Sequence, residues 1–289
     1  MSGILFGLLG ATFIGVSDCV ARVTAQRVSM SVLFAAVMGL STVALTLYLA
    51  VTGDWPRWHP YGWVTSALSG FLNLVALFFL YSALARGPVT VASPAASSFS
   101  VILVALNALA GAPLIWQQAA AIALVFVGVA MLARRGGASE THDGSYLRVT
   151  ALLGLTAAGA IALRMFLAQE AGDALGAIPA LYLNRVFALI GVIGLLLFET
   201  HRGTQRHWPD RSLVWLVLLQ AVLESLALGS FLIGSEGGGR IGASIGFASF
   251  SAVTALTAWV WLGERIGWRR GMWMAVVGGG IVIAIAAAP

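Results

Sequence analysis

Apolar residues run through the chain in ten stretches separated by short polar breaks, each of about 20 residues, the length a helix needs to cross a bilayer core. They lie near 3–21, 31–52, 62–85, 88–109, 116–133, 147–168, 178–199, 213–233, 238–262 and 268–287. Each reads as a membrane-spanning helix, because in lipid every backbone polar group needs an internal partner. Only the breaks at 134–146 and 200–212 are polar enough to be ordinary solvated loops. The first, from Arg134 to Gly144, has the Gly, Ser and charged residues of a linker.

The stretches repeat. Ala92-Ser93-Pro94-Ala95-Ala96-Ser97-Ser98-Phe99-Ser100 returns as Ala243-Ser244-Ile245-Gly246-Phe247-Ala248-Ser249-Phe250-Ser251, and Gly111 to Gln118 aligns without gaps on Gly263 to Arg270. Gly10, Thr12 and Gly15 fall on Gly154, Thr156 and Gly159, and Met38-Gly39 falls on Ile190-Gly191. The chain therefore divides into a first repeat over 1–135, a linker over 136–146 and a second repeat over 147–289. Five spans per repeat put the second copy into the membrane upside down. The expected fold is an all-α integral membrane protein with ten transmembrane helices as two inverted five-helix repeats, an arrangement that secondary transporters build around a midplane site.

Composition agrees with this picture. With 60% hydrophobic and 9% charged residues among 289 and a mean hydropathy of +0.94, the apolar surface exceeds what a water-soluble core can hide. The stretch Ser2 to Val16 lacks a preceding basic region and a small-residue cleavage site, so it reads as the first span and not as a removed signal. Every basic side chain is Arg, which excludes a lysine Schiff base or a phosphate-loop lysine. The net charge of +5 does not point to nucleic acid, since the arginines flank apolar spans. Twelve of them (Arg22, Arg27, Arg86, Arg134, Arg135, Arg148, Arg202, Arg206, Arg211, Arg265, Arg269 and Arg270) follow odd-numbered spans, against Arg57 and Arg240 on the other side. The positive-inside bias then places odd loops in the cytoplasm and both termini outside. The single cysteine, Cys19, makes no internal disulfide.

Ionisable residues within spans are costly, about 2.5–3.5 kcal/mol at a helix centre on insertion scales, and are site candidates by default. Glu224 sits mid-span, and its repeat counterpart is Asn73, also polar and mid-span. Glu224 suits a substrate ammonium or a coupling proton, or else a protonated carboxyl bonded between helices. Arg164 and Arg185 suit a substrate carboxylate, with snorkelling or pairing to Glu170 or Asp173 as the plainer expectation. Asp18 and Arg22 have the spacing of a helix-end ion pair. The recurring Ser/Phe segments contribute Ser97, Phe99, Ser249 and Phe250, which join hydrogen bonding to an apolar wall, or serve packing alone. Tyr81, Tyr182, Asn184 and Trp259 lie in neighbouring spans. Pro94 is expected to interrupt its helix, with Ile245-Gly246 as a weaker counterpart, and Gly87 and Gly237-Gly238-Gly239 are candidate hinges. The remaining tryptophans cluster at span ends as interfacial belts. Gly128 and Gly278-Gly279-Gly280 suggest a close contact of the two end helices, or a lipid-facing dimer contact.

The paired five-span repeats, with Trp261-Leu262-Gly263-Glu264-Arg265 ending a fourth helix and Gly271 and Gly278-Gly279-Gly280 on a fifth, resemble the drug/metabolite transporter superfamily and its EamA-type repeat. The first repeat departs from the motif, with Gly111-Ala112-Pro113 in place of the Gly-acid turn. The resemblance is nearest to amino-acid exporters of the YddG kind. It implies export of aromatic and other neutral amino acids across a bacterial inner membrane, with the lipid bilayer and a small-molecule substrate as partners; no cofactor, metal or nucleic acid is expected, and the packing signals fit a monomer or a dimer. A drug or quaternary-cation efflux carrier is the alternative within carriers, weakened because the first span offers no acidic residue at mid-depth. A membrane-embedded enzyme is more remote, because His59, His142, His201 and His207 all fall in loops without metal-ligand spacing.

Overall fold

The computed structural model describes residues 2–24, 27–86, 98–111, 114–117, 119–120, 122–124, 127, 131, 144–204, 206–262, 272–273, 275–276, 279–280 and 283. Its helices are α1 (Ser2–Thr24), α2 (Met30–Thr52), α3 (Pro60–Arg86), α4 (Phe99–Leu109), α5 (Gly144–Leu175), α6 (Ala177–His201), α7 (Arg211–Ser235), α8 (Arg240–Phe247) and α9 (Phe250–Leu262), with a 3-10 turn at Glu236–Gly238. Among the described residues there is no strand, and those of 116–131 and 272–283 are helical. Among the described residues, six segments are long and apolar enough to cross a bilayer: Ser2–Ala21, Met30–Thr52, Pro60–Leu80, Leu152–Leu175, Ala177–His201 and Arg211–Gly238. Leu47, Phe78, Leu152 and Val222 stand exposed along them, as side chains facing lipid tails do. The chain is a multi-pass membrane protein.

The two halves interlock. α1 packs along α7, α8 and α9, α3 along α5 and α6, and α2 on α6 and α7, so the helices before residue 87 find their main partners beyond residue 143. Small residues make this closeness possible where lipid supplies no hydrophobic drive. A Cβ on Gly3 would lie 2.8 Å from the carbonyls of Gly234 and Gly239, and one on Gly10 would lie 2.8 Å from the carbonyl of Ala227. Gly7 meets the backbone of Ala243.

Two faces are identifiable from the ties between loops. At one, Ser29 and His207 exchange hydrogen bonds, the Ser29 amide to the His207 carbonyl at 3.0 Å and the His207 amide to Ser29 Oγ at 2.8 Å. At the other, Arg240, Glu170, Tyr61 and Trp55 gather; this is the face the arginine count assigns to the outside. α1 begins at the outer face beside Gly239, whereas α5 ends there beside Arg240, so the two run in opposite directions. Glu236, in the outer turn, accepts a hydrogen bond from the Ala177 amide at 2.9 Å and so satisfies one of the bare donors at the start of α6. That turn needs left-handed backbone at two successive positions, Gly237 at φ 60° and Gly238 at φ 85°, which glycine adopts without strain.

The stretch 238–262 corrects the expectation of one continuous span. It is two helices, α8 and α9, broken at Ala248-Ser249. Two causes coincide there. Gly246 presses α8 against the backbone of α1, 2.8 Å from the Leu8 amide for a Cβ placed on it. Three residues on, the Ser249 hydroxyl donates to the Gly246 carbonyl at 2.7 Å, replacing helix bonding with a side-chain bond. The helix of 147–168 is also longer than its apolar stretch, reaching Leu175, because Gln169, Glu170 and Asp173 find polar partners on α7 and α8. Pro94, Gly87, Gly128 and Gly278 lie outside the described residues. Among the described residues, no atom lies within 4 Å of a Cβ added to Gly279.

Candidate functional site

Polar side chains from five helices converge in the interior of the bundle. Arg185 on α6 is 2% exposed. Its Nη2 donates to the Glu224 carbonyl at 3.0 Å, its Nη1 reaches Met38 Sδ at 3.3 Å, and Nη1 stands 4.0 Å from Glu224 Oε2. Gln220, one turn below on α7, donates to Glu224 Oε1 at 3.3 Å and accepts from Thr24 Oγ1 at 3.1 Å. Asn73 Nδ2 lies 4.0 Å from the same Met38 sulfur. The repeat-related pair Asn73 and Glu224 thus meets through Met38 and Arg185. Ser41 and Ser225 close the cluster on the α2 side at 2.8 Å.

Two further charges belong here. Asp18 accepts from Thr254 Oγ1 at 3.2 Å and lies in the electrostatic field of Glu224. It therefore faces α9; the expected pairing with Arg22 falls on a side chain outside the described residues. Arg164 on α5 senses both Arg185 and Glu224. Pairing of Arg164 or Arg185 with Glu170 or Asp173 does not occur, because those carboxylates are taken by Arg240.

That third arginine organises the outer end. Arg240, at the start of α8, pairs with Glu170 and donates through Nε and Nη2 to Asp173 Oδ2 at 3.0 and 2.6 Å, while Tyr61 on α3 donates to Glu170. Directly beneath, Asn107 Nδ2 donates to Gln169 Oε1 at 2.9 Å and to Ser244 Oγ at 3.3 Å, and Gln169 Nε2 donates to Ser235 Oγ at 2.9 Å. These two layers tie α3, α4, α5, α7 and α8 together and close the described bundle at the Arg240 end. Arg240→Ala is expected to loosen that closure. A cysteine at Ser244, in a Cys19→Ser background, should then react several-fold faster with a membrane-impermeant thiol reagent applied from outside, whereas the exposed Arg57→Ala leaves the rate unchanged.

Phe99 and Phe250, the repeat-related phenylalanines, meet at 5.6 Å between ring centroids, with Phe247 at 6.5 and 6.3 Å from them and Phe231 behind it. They form an apolar wall in the same core as Met165 and Leu181. Between α4 and α8, Ser100, Val104, Ile122, Ser244, Ile245 and Ala248 line a cavity of about 10 Å³, room for one water at most. Ser249 is turned onto its own backbone and offers its hydroxyl proton to no ligand. Tyr182 does not join the cluster; its ring packs edge-on against Trp55 at 5.9 Å near the outer rim. Asn184 bonds Ser69 at 2.7 Å and holds α6 to α3. Ser97 and the side chains of Tyr81 and Trp259 lie outside the described residues. The buried amides Asn107, Gln169 and Gln220 are additions that the search for charged residues passed over; their polarity within apolar helices was the available signal.

Comparison with known proteins places this arrangement. Residues 1–134 match the EamA-like transporter family, which supports a membrane transporter of the drug/metabolite EamA type. A crystal structure of another protein is similar over 99% of this chain and 97% of its own, with a TM-score of 0.81 at 17% identity; at that identity the likeness is one of fold. No curated protein matches the chain in sequence.

Proposed function

We propose that this protein is a secondary transporter that exports small neutral metabolites, aromatic and other neutral amino acids foremost, across a bacterial inner membrane by alternating access. The observation that carries the reading is the convergence of Glu224, Arg185 and Asn73 on one point inside the bundle, in a chain whose first 134 residues match EamA-like transporters. Charged groups inside a membrane bundle belong to substrate or ion pathways far more often than to structure alone. The opposite directions of α1 and α5, and the repeat-related meeting of Phe99 with Phe250, support two inverted five-helix repeats over 1–135 and 147–289. The moving bodies combine helices of both repeats, since the repeats interlock through α1, α2 and α3.

Efflux of a drug or quaternary cation is a second reading, favoured by one observation: Asp18 on the first helix faces Thr254 and the field of Glu224. Arg164 and Arg185 beside them oppose a substrate that is only cationic. Uptake of a labelled panel into proteoliposomes separates the two. Saturable, protein-dependent flux of phenylalanine, methionine or threonine is expected; flux of a quaternary ammonium alone would overturn the amino-acid assignment.

A further inference from the structure

Four charges share the interior of the bundle. Glu224 Oε2 stands 4.0 Å from Arg185 Nη1; Asp18 lies in the field of Glu224, and Arg164 in the fields of Arg185 and Glu224. One end of the array is acidic and the other basic. With all four ionised they sum to zero, so an occupant that neutralises them pairwise carries no net charge but brings both signs.

The hydrogen bonds show where such an occupant is wanted. Among the described residues, the side-chain donors to Asp18 and Glu224 are the neutral Thr254 and Gln220, apart from the long approach of Arg185. Arg185 has a thioether, a weak acceptor, and a backbone carbonyl, and its buried Nε has no partner. Arg164 is the most under-served. Its Nε is buried without a partner, and among the described residues its side chain forms no hydrogen bond. A buried guanidinium in that condition carries a desolvation cost that a second acceptor would remove, and its planar fork matches a carboxylate.

We propose that this array is a zwitterion site in which Arg164 receives a substrate carboxylate and Glu224 receives its ammonium group, with Asp18 reinforcing the acidic end. The proposal rests on the amino-acid reading above and assigns the polarity of the bound molecule. Both charges of the substrate are required, and an amine or an acid alone leaves one end of the array unpaired.

Three probes of equal aromatic body test it: phenylalanine, phenethylamine and 3-phenylpropionate, competed against labelled phenylalanine in proteoliposomes. In the wild type neither single-charge probe competes within about tenfold of phenylalanine. Arg164→Gln is expected to lower phenylalanine flux at least about tenfold and to bring phenethylamine level with phenylalanine as a competitor. Glu224→Gln should shift the balance the other way, toward 3-phenylpropionate. If Arg164→Gln does not fold, Arg164→Lys, which keeps the charge and loses the fork, reads the same ratio. Phenylalanine flux with an unaltered competitor ratio in the folded Arg164 variant would overturn the array alone. Absence of flux for every amino acid through the wild type would overturn the amino-acid reading and the array together.

Discussion

Arg185→Met lowers the stability of the purified protein by about 3 kcal/mol, the lower end of the range for removing one partner of a buried pair. The guanidinium is 2% exposed, and its loss leaves Glu224 with Gln220 as its side-chain partner at 3.3 Å. Glu224 keeps a side-chain exposure of 22%, which places the cost at the low end. Methionine preserves much of the volume beside Met38, so the loss reads as an uncompensated carboxylate and not as a cavity. The second change Glu224→Gln removes that carboxylate, and the double variant should recover most of the melting temperature. Transport should not return with it. Thermal unfolding in detergent alongside flux in proteoliposomes checks both halves; a single variant as stable as the wild type would show that the pair is not coupled.

The second large effect is steric. A Cβ placed on Gly7 falls 3.0 Å from the Cα of Ala243 and closer still to its carbonyl. These are backbone atoms of a helix already fitted against α1 at Gly3 and Gly246, so no rotamer change relieves the clash. Gly7→Leu must push α8 away from α1 and, with it, Ser244 and Arg240 out of the outer closure. Overpacking of this kind costs about 1–3 kcal/mol even where some relaxation occurs, and here the separation also forfeits the close contacts that hold helices together in lipid. Gly39 is the control, because its nearest neighbour to an added Cβ is Leu189 at 3.9 Å. Gly39→Ala should melt with the wild type, while Gly7→Leu should melt well below it or fail to accumulate. Equal melting of the two would contradict the tight α1–α8 seam.

How far the fold could be read in advance follows from what hydropathy measures. α1, α2, α3, α6 and α7 lie within a few residues of their apolar stretches, because lipid demands a length and an apolar surface that composition records directly. The break between α8 and α9 depends on a backbone contact of Gly246 with α1 and on one hydroxyl of Ser249, and average hydropathy carries neither. The interlocking of the repeats was likewise invisible to a comparison of one half with the other.

The site was legible in part. Burial cost singled out Glu224, and repeat symmetry added Asn73, and the structure brings the two to one sulfur and one guanidinium. The same logic applied to amides would have found Asn107, Gln169 and Gln220, which are as foreign to an apolar helix as a charge is, at lower cost. Aromatic character alone does not place Tyr182 at the rim or in the lining; its partner Trp55 lies 127 positions away in sequence. The bond of Asp18 to Thr254, 236 positions away, could not be read from local spacing. The resemblance was read from Trp261 to Arg265, while the family match falls on residues 1–134, the repeat that lacks the Gly-acid turn.

Counterflow tests the central claim most directly. Proteoliposomes loaded with unlabelled phenylalanine are diluted into trace labelled phenylalanine, and internal label is followed in time. A carrier with one interior site that faces each side in turn draws label inward above its equilibrium level, and the account predicts this overshoot for the wild type and its loss in Arg185→Met/Glu224→Gln. Label that rises monotonically to equilibrium, or an overshoot undiminished in the double variant, would contradict transport through this site.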